Sequence, residues 1–343
     1  METETITLEQ ARRLVHALAH KESLLLLSPP GVGKSETVVR AAEEAGLPCR
    51  SLLGTQIAPE DVSGIPRIVG ERSVFCPPRV LLPEHPEPFC LFLDELPAAQ
   101  PDVQKALYSL LLERRLGEHL LPAGSWVVAA GNRAEDRALV RTLSSALVNR
   151  VFVLQIRADA AEWLAWAERA GVRPEVRAFI RFVPEAIHRG MADASTPFST
   201  PRAWTSLARA MDLAERAGVL DGPTVRALAF GRVSAMDALV FCTMVEERIP
   251  ELQPVEAYLR APSTLPTELG PRWFVLNRIR NLALARKLRA QAGEADAFLR
   301  ALSLEERFVV LTDAVDTWGE LGAAPAMLDT LRVAVGAQEA SAP

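Results

Sequence analysis

The sequence predicts an α/β fold in which a five-stranded parallel sheet is followed by a wholly helical region. Between residues 24 and 154, short apolar runs recur at 24–27, 50–53, 89–93, 126–130 and 151–154, each bounded by turn residues and separated by helical patterns. Beyond about residue 157 such runs cease, and helical periodicity takes over at 160–170, 175–188, 202–217, 224–247, 274–290 and 304–321. A Leu/Ala/Arg/Glu-rich composition with only two tyrosines agrees with a predominance of helix.

Each element has its own justification. The central runs are apolar throughout, as strands covered on both faces require. The helix predicted over 35–45 ends at Gly46, with Pro48 close behind. Asp102 opens a second helix, 102–115, whose Val103, Ala106, Leu107, Leu110 and Leu111 share one face. The alternation of strand and helix is that of a doubly wound sheet. The proline-rich stretch 57–88 breaks the alternation. There, residues 65–69 and 73–75 flank Gly70-Glu71-Arg72 and predict a short hairpin, which either contacts a partner or caps the sheet. A Pro- and Thr-rich break over 249–271 divides the helical part. The expected domains are therefore 1–157 (with an insert at about 56–80), 158–250 and 251–343.

The formal charge of −5 and the pI near 5.7 give no overall drive toward nucleic acid or anionic membrane. Glu2 and Glu4 stand where a targeting segment would be basic, and no apolar run approaches the ~20 residues a membrane span needs, so a cytoplasmic protein is expected. Cys49, Cys76, Cys90 and Cys242 show no C-x-x-C spacing and read as reduced thiols. Cys76, His85 and Cys90 lack a fourth ligand, which sets a metal site aside.

Chemistry concentrates in two places. Ser28-Pro29-Pro30-Gly31-Val32-Gly33-Lys34-Ser35 follows a strand and opens a helix, the context of a phosphate-binding loop. Its glycines let backbone N–H groups turn toward β- and γ-phosphates, the helix start adds positive potential, Lys34 brings a mobile charge and Ser35 a hydroxyl for Mg²⁺. Pro30, Gly31, Val32, Gly33, Lys34, Ser35 and Glu36 are the expected nucleotide-binding residues. The first position of the usual pattern is Ser28 instead of glycine, a small residue that the turn tolerates. Further on, the run 89–93 delivers Asp94 and Glu95 to the carboxyl end of a strand, where ligands bind in such sheets. Asp94, with Ser35, is expected to hold Mg²⁺, and Glu95 to orient and deprotonate the attacking water. Alone, an Asp-Glu pair also begins ordinary loops; the phosphate loop gives it meaning.

Together these motifs resemble those of AAA+ ATPases, specifically the MoxR-like branch. The resemblance implies a P-loop AAA+ core with a five-stranded parallel sheet, an α-helical lid over 158–250 and a C-terminal helical extension. Val127-Val128-Ala129-Ala130-Gly131-Asn132 resembles the sensor 1 strand, placing Asn132 near the lytic water, although Asn after Gly is also an ordinary turn. Residues 143–150 resemble the segment whose arginine reaches a neighbouring subunit's ATP; Arg150 is the candidate, with Arg141 and Arg137 as alternatives. Thr200-Pro201-Arg202-Ala203-Trp204 resembles sensor 2, with Arg202 directed at the γ-phosphate of its own subunit. Residues 56–66 resemble the helix-2 insert of that branch.

The resemblance implies a homo-oligomeric, hexameric ring that hydrolyses ATP with Mg²⁺ and acts as a chaperone-like remodeller or maturation factor, often for a von Willebrand factor A domain protein. Two other readings fit the same motifs: a nucleic-acid motor of this class, and a nucleotide-sensing scaffold without hydrolysis. The basic residues Arg272, Arg278, Arg280, Arg286, Lys287 and Arg289 beside an apolar stripe would serve the motor, but equally form the solvated face of an amphipathic helix.

Overall fold

The computed structural model describes residues 4–76, 78–79, 81–82, 87–116, 119–133, 145–190, 196–249, 252–291 and 293–328. Two compact units emerge. One comprises residues 1–172 and 185–238, the other 173–184 and 239–343.

The first unit is built on five parallel strands: β1 (Leu24–Ser28), β2 (Cys49–Leu53), β3 (Cys90–Asp94), β4 (Trp126–Asn132) and β5 (Phe152–Gln155). Their spatial order is β2-β3-β4-β1-β5, so the chain crosses to one edge after β1, returns through β3 and β4, and passes over β1 to reach β5. All five predicted strands are present, displaced by at most two residues at their ends.

Alternation along the strands divides the core between the two faces. Leu25, Leu91, Leu93, Val127 and Ala129 point to one face and join Val103, Leu107, Leu110 and Leu111. Leu24, Leu26, Phe92, Trp126, Val128 and Ala130 point to the other. There they meet Ala11 and Val15 of α1 (Leu8–Leu18) and Val38 and Ala41 of α2 (Lys34–Glu44). With both faces covered, β1, β3 and β4 are buried almost throughout. The helix α1 has no counterpart among the predicted elements, yet its start is legible. Thr7 accepts from the Gln10 backbone N–H at 3.3 Å while the Gln10 side chain accepts from the Thr7 N–H at 2.9 Å, a reciprocal cap.

Local differences from the expected elements have physical causes. The helix expected at 102–115 is two pieces, Pro101–Ala106 and Tyr108–Glu113. Arg114 takes a left-handed backbone (φ 54°), and its guanidinium donates to the backbone oxygens of Ala19 (2.8 Å), Glu22 (3.2 Å) and Ser125. The Ala19 and Glu22 carbonyls lie 95 and 92 residues away, so tertiary contacts hold the residue at which the second piece ends. The hairpin forms as expected, Ile65–Val69 against Arg72–Cys76. Among the described residues beyond 157, every regular element is a helix or 3-10 turn. The Pro- and Thr-rich stretch 249–271 is not a bare break: it contains a helix, Val255–Arg260, with Tyr258 and Leu259 buried.

In the second unit aromatic pairs organise the core: Phe179 meets Phe241 edge-on at 5.6 Å, and Phe298 stacks on Trp318 at 5.8 Å. Several of its arginines are tied to carboxylates. Arg272 pairs with Glu306 through two nitrogens, Arg280 with Asp313 at 3.1 Å and Arg286 with Glu320 at 3.1 Å. The Arg272 guanidinium holds the Glu306 carboxyl below its usual range.

Strand pairing also sets two cysteines directly opposite each other, Cys49 on β2 and Cys90 on β3. A hydrogen bond with the Cys90 thiol lowers the pKa of Cys49 to about 7, while the same hydrogen bond and burial push Cys90 up. Alkylation of Cys49, followed by peptide mass spectrometry, should therefore reach half its maximal rate near pH 7. Cys90→Ala should move that midpoint up toward the ordinary thiol range, and an unmoved midpoint would show that Cys90 is not the cause.

Candidate functional site

Because the strands are parallel, their carboxyl ends lie along one edge, and the predicted residues collect there. Ser28 ends β1 directly beside Asn132 at the end of β4, and Asp94 ends β3 beside Leu53. The loop after β1 turns through Gly31 (φ 74°) and Gly33 (φ 121°), both in conformations that side chains resist. Gly33 is the N-cap of α2, so Lys34 and Ser35 occupy the helix's first turn, where unpaired N–H groups and the helix dipole favour an anion. Val32 anchors the loop in the core, Pro30 is half-buried, and Glu36 faces solvent.

Lys34 is buried, and its ammonium donates to Ser28 Oγ at 2.8 Å, Ser28 O at 3.2 Å, Asn132 Oδ1 at 3.2 Å and Pro29 O at 3.4 Å. Oxygen contacts of this kind replace the water that a buried cation loses. The Ser35 hydroxyl donates to Asp94 Oδ2 at 2.7 Å. That pair offers hydroxyl and carboxylate oxygens side by side, the hard donors that suit Mg²⁺.

Glu95 sits in the left-handed region (φ 55°, ψ 32°), which costs a non-glycine residue about 1–2 kcal/mol. Its backbone N–H donates to Asp94 Oδ1 at 3.0 Å, and the Thr55 hydroxyl donates to its Oε2 at 3.2 Å. Two neighbouring carboxylates are thus separated: one faces Ser35 of α2, the other faces Thr55 beyond β2. Gly54 makes this possible, since a Cβ there would lie 3.0 Å from Glu95 O and 3.2 Å from Asp94 O.

The segment predicted to hold Arg202 docks against the phosphate loop. Thr200 caps helix α3 (Pro201–Arg216) by accepting from the Ala203 N–H at 3.0 Å, and the Arg202 backbone N–H donates to Gly31 O at 3.0 Å. A Cβ on Gly31 would fall 2.7 Å from Thr200 Oγ1 and 3.4 Å from the Arg202 Cβ. Behind this contact the buried Asp237 accepts from Ser199 (2.5 Å), Ser234 (2.7 Å) and Arg189 Nε (2.6 Å). The site therefore includes residues from both the sheet and the helices that follow it.

Arg150 lies just past the short helix Ser145–Val148, half-buried, with its guanidinium 5.7 Å from the ring centre of Tyr108. The alternatives Arg137 and Arg141 lie outside the described residues, as does His85 of the discarded metal grouping.

Several site residues escaped the sequence reading. Thr55 carries no motif, and its only signal is its place just beyond a strand's carboxyl end. The pattern makes Ser28 a tolerated replacement, whereas its hydroxyl accepts from Lys34 at 2.8 Å, closer than Ser28 O, Pro29 O or Asn132 Oδ1. The fit of Gly131 against Pro97 belongs to no pattern at all: a Cβ at Gly131 would lie 2.2 Å from Pro97 Cδ.

This site, on this sheet order, defines a P-loop AAA+ fold. The model of the AAA domain (dynein-related subfamily) matches residues 23–151. No curated protein matches the chain in sequence. Among solved structures it is similar to the RuvB Holliday junction branch migration motor of Thermotoga maritima, at 16% identity over 91% of this chain and 85% of that one, with a TM-score of 0.41. It is also similar to NtrX of Brucella abortus, at 13% identity over 97% of this chain and 69% of that one, with a TM-score of 0.41. No helix of the described residues is long and apolar enough to cross a membrane.

The Gly131 contact yields a direct test. Gly131→Ala must displace Pro97, two residues after Glu95, and should destabilise the chain by about 1–3 kcal/mol in chemical denaturation. A variant as stable as the parent would show that Pro97 yields freely.

Proposed function

We propose that the chain binds ATP with Mg²⁺ and hydrolyses it as a ring-forming AAA+ ATPase of the MoxR-like branch, remodelling or maturing a partner protein. The observation that best supports this reading is the meeting of Ser35 with Asp94 at 2.7 Å across 59 residues of sequence, beside the buried Lys34. When bound, Mg²⁺ would neutralise charge on the β- and γ-phosphate oxygens. Ser35 and Asp94 are the residues to hold it.

In this reading the backbone of Pro30, Gly31, Val32, Gly33 and Glu36 surrounds the phosphates, and Lys34 offsets their charge. Glu95 takes a proton from the attacking water, which Asn132 orients. Arg202 reaches the γ-phosphate of its own subunit. Arg150 acts on the nucleotide of a neighbouring subunit, with Arg137 and Arg141 as the alternatives for that role. A homo-oligomeric ring, hexameric as in the branch it resembles, follows from a trans-acting arginine. Residues 158–250 then form the lid and 251–343 an extension, in a cytoplasmic protein. The partner class suggested by the resemblance is a von Willebrand factor A domain protein. The ion pairs made by Arg272, Arg280 and Arg286 favour this protein-directed role over a nucleic-acid motor, because those charges already have carboxylate partners.

Removing the general base should separate binding from chemistry. Glu95→Gln is expected to retain ATP affinity in calorimetry while phosphate release falls by about 10²–10⁴-fold. Equal release by parent and variant would leave a scaffold that binds nucleotide without cleaving it.

The trans assignment has an independent check. Arg150→Ala should lose about 10³-fold or more in hydrolysis. Mixing it with inactive Glu95→Gln should restore activity, because an Arg150→Ala site would then border an intact Arg150. Two inactive proteins that stay inactive when mixed into one assembly would remove Arg150 from the site.

A further inference from the structure

We propose that Ser28 is a positioning residue that competes with bound polyphosphate for Lys34, weakening the chain's hold on nucleoside diphosphate and speeding its release. This inference rests on the nucleotide-binding reading above and concerns the one position where the phosphate loop departs from the usual pattern.

Ser28 is fully buried at the end of β1, in register with Asn132. Its hydroxyl hydrogen is committed, donating to Pro29 O at 2.7 Å. The oxygen lone pairs therefore remain to accept, and Lys34 Nζ takes one at 2.8 Å. This is shorter than the contacts with Ser28 O, Asn132 Oδ1 and Pro29 O, at 3.2, 3.2 and 3.4 Å. A glycine would keep the carbonyl contacts and lack this one.

An ammonium has three protons to give. Here four oxygens of the chain itself lie within reach of them, so phosphate oxygens must take protons that these acceptors already hold. The charged phosphate wins that contest, but the contact with Ser28 Oγ subtracts from its affinity. Hydrogen bonds to charged groups shift equilibria by roughly tenfold, and burial keeps this one from being screened. Once phosphate departs, the hydroxyl takes the ammonium back, which favours release over rebinding. Serine at this position thus trades nucleotide affinity for turnover.

The sign of the effect distinguishes this role from a merely structural one, because loosening the end of β1 would weaken binding. Ser28→Ala and Ser28→Gly should bind ADP about three- to tenfold more tightly, with the ADP off-rate slowed in proportion. Calorimetry and stopped-flow displacement of a fluorescent ADP analogue would measure both. In a Lys34→Met background the Ser28→Ala gain should vanish, and a gain that persisted would refute the link to Lys34. If the parent binds ADP while both variants bind it equally or more weakly, the role of Ser28 is wrong and the nucleotide reading survives. If parent and variants alike fail to bind ADP or ATP, the nucleotide reading itself falls.

Discussion

The ammonium of Lys34 is a buried cation, and a cation leaves water only where oxygen atoms stand ready to receive it. The chain supplies them from the ends of two adjacent strands: Ser28 and the following carbonyl from β1, and the Asn132 amide from β4. Their meeting depends on the register that sets Ser28 against Asn132, and that register in turn depends on the packing of Leu24, Leu26, Val128 and Ala130 against α1 and α2. A one-residue slip would turn these side chains to the wrong face and carry Asn132 away from the lysine. Core and site are therefore specified by the same pairing.

Crowding is the second constraint, and glycine answers it at three places. Gly31 lies against Thr200 and Arg202, Gly54 against the Asp94 and Glu95 carbonyls, and Gly131 against Pro97. A single methyl would collide with the Thr200 side chain at Gly31 and with the proline ring at Gly131, and would press on the Glu95 and Asp94 carbonyls at Gly54. The result is that loops after β1, β2, β3 and β4 and the start of α3 interlock around one edge of the sheet. Glu95, held in a left-handed conformation within that arrangement, points away from Asp94 and toward Thr55. Strain of about 1–2 kcal/mol is sustained because its neighbours leave no alternative path for the chain.

The second unit follows a different logic. Its aromatic pairs and its Arg-carboxylate pairs join helical segments, with no strand end to gather polar groups at an edge. Some of the charges that look like a basic surface in the sequence are turned toward acidic partners, Arg272 toward the largely buried Glu306 most clearly. By contrast, the hairpin of the first unit leaves Ile65, Ile68 and Val69 exposed at its tip and sides. Each region's character is set by where its polar groups find partners.

The sequence by itself determined the five strands, the helical remainder, the phosphate loop and the acidic pair, because apolar periodicity and glycine-rich turns are local properties that burial and backbone sterics impose residue by residue. It also carried the capped start of α3, since Thr200-Pro201 is a local signal. Only the tertiary structure decided that Ser35 faces Asp94, that Ser28 and Asn132 share Lys34, that Thr55 meets Glu95, and that Cys49 lies opposite Cys90. Those facts join residues tens of positions apart, and no local pattern encodes them. They are fixed by strand order and register, which arise from the packing of the whole unit rather than from any one of its segments.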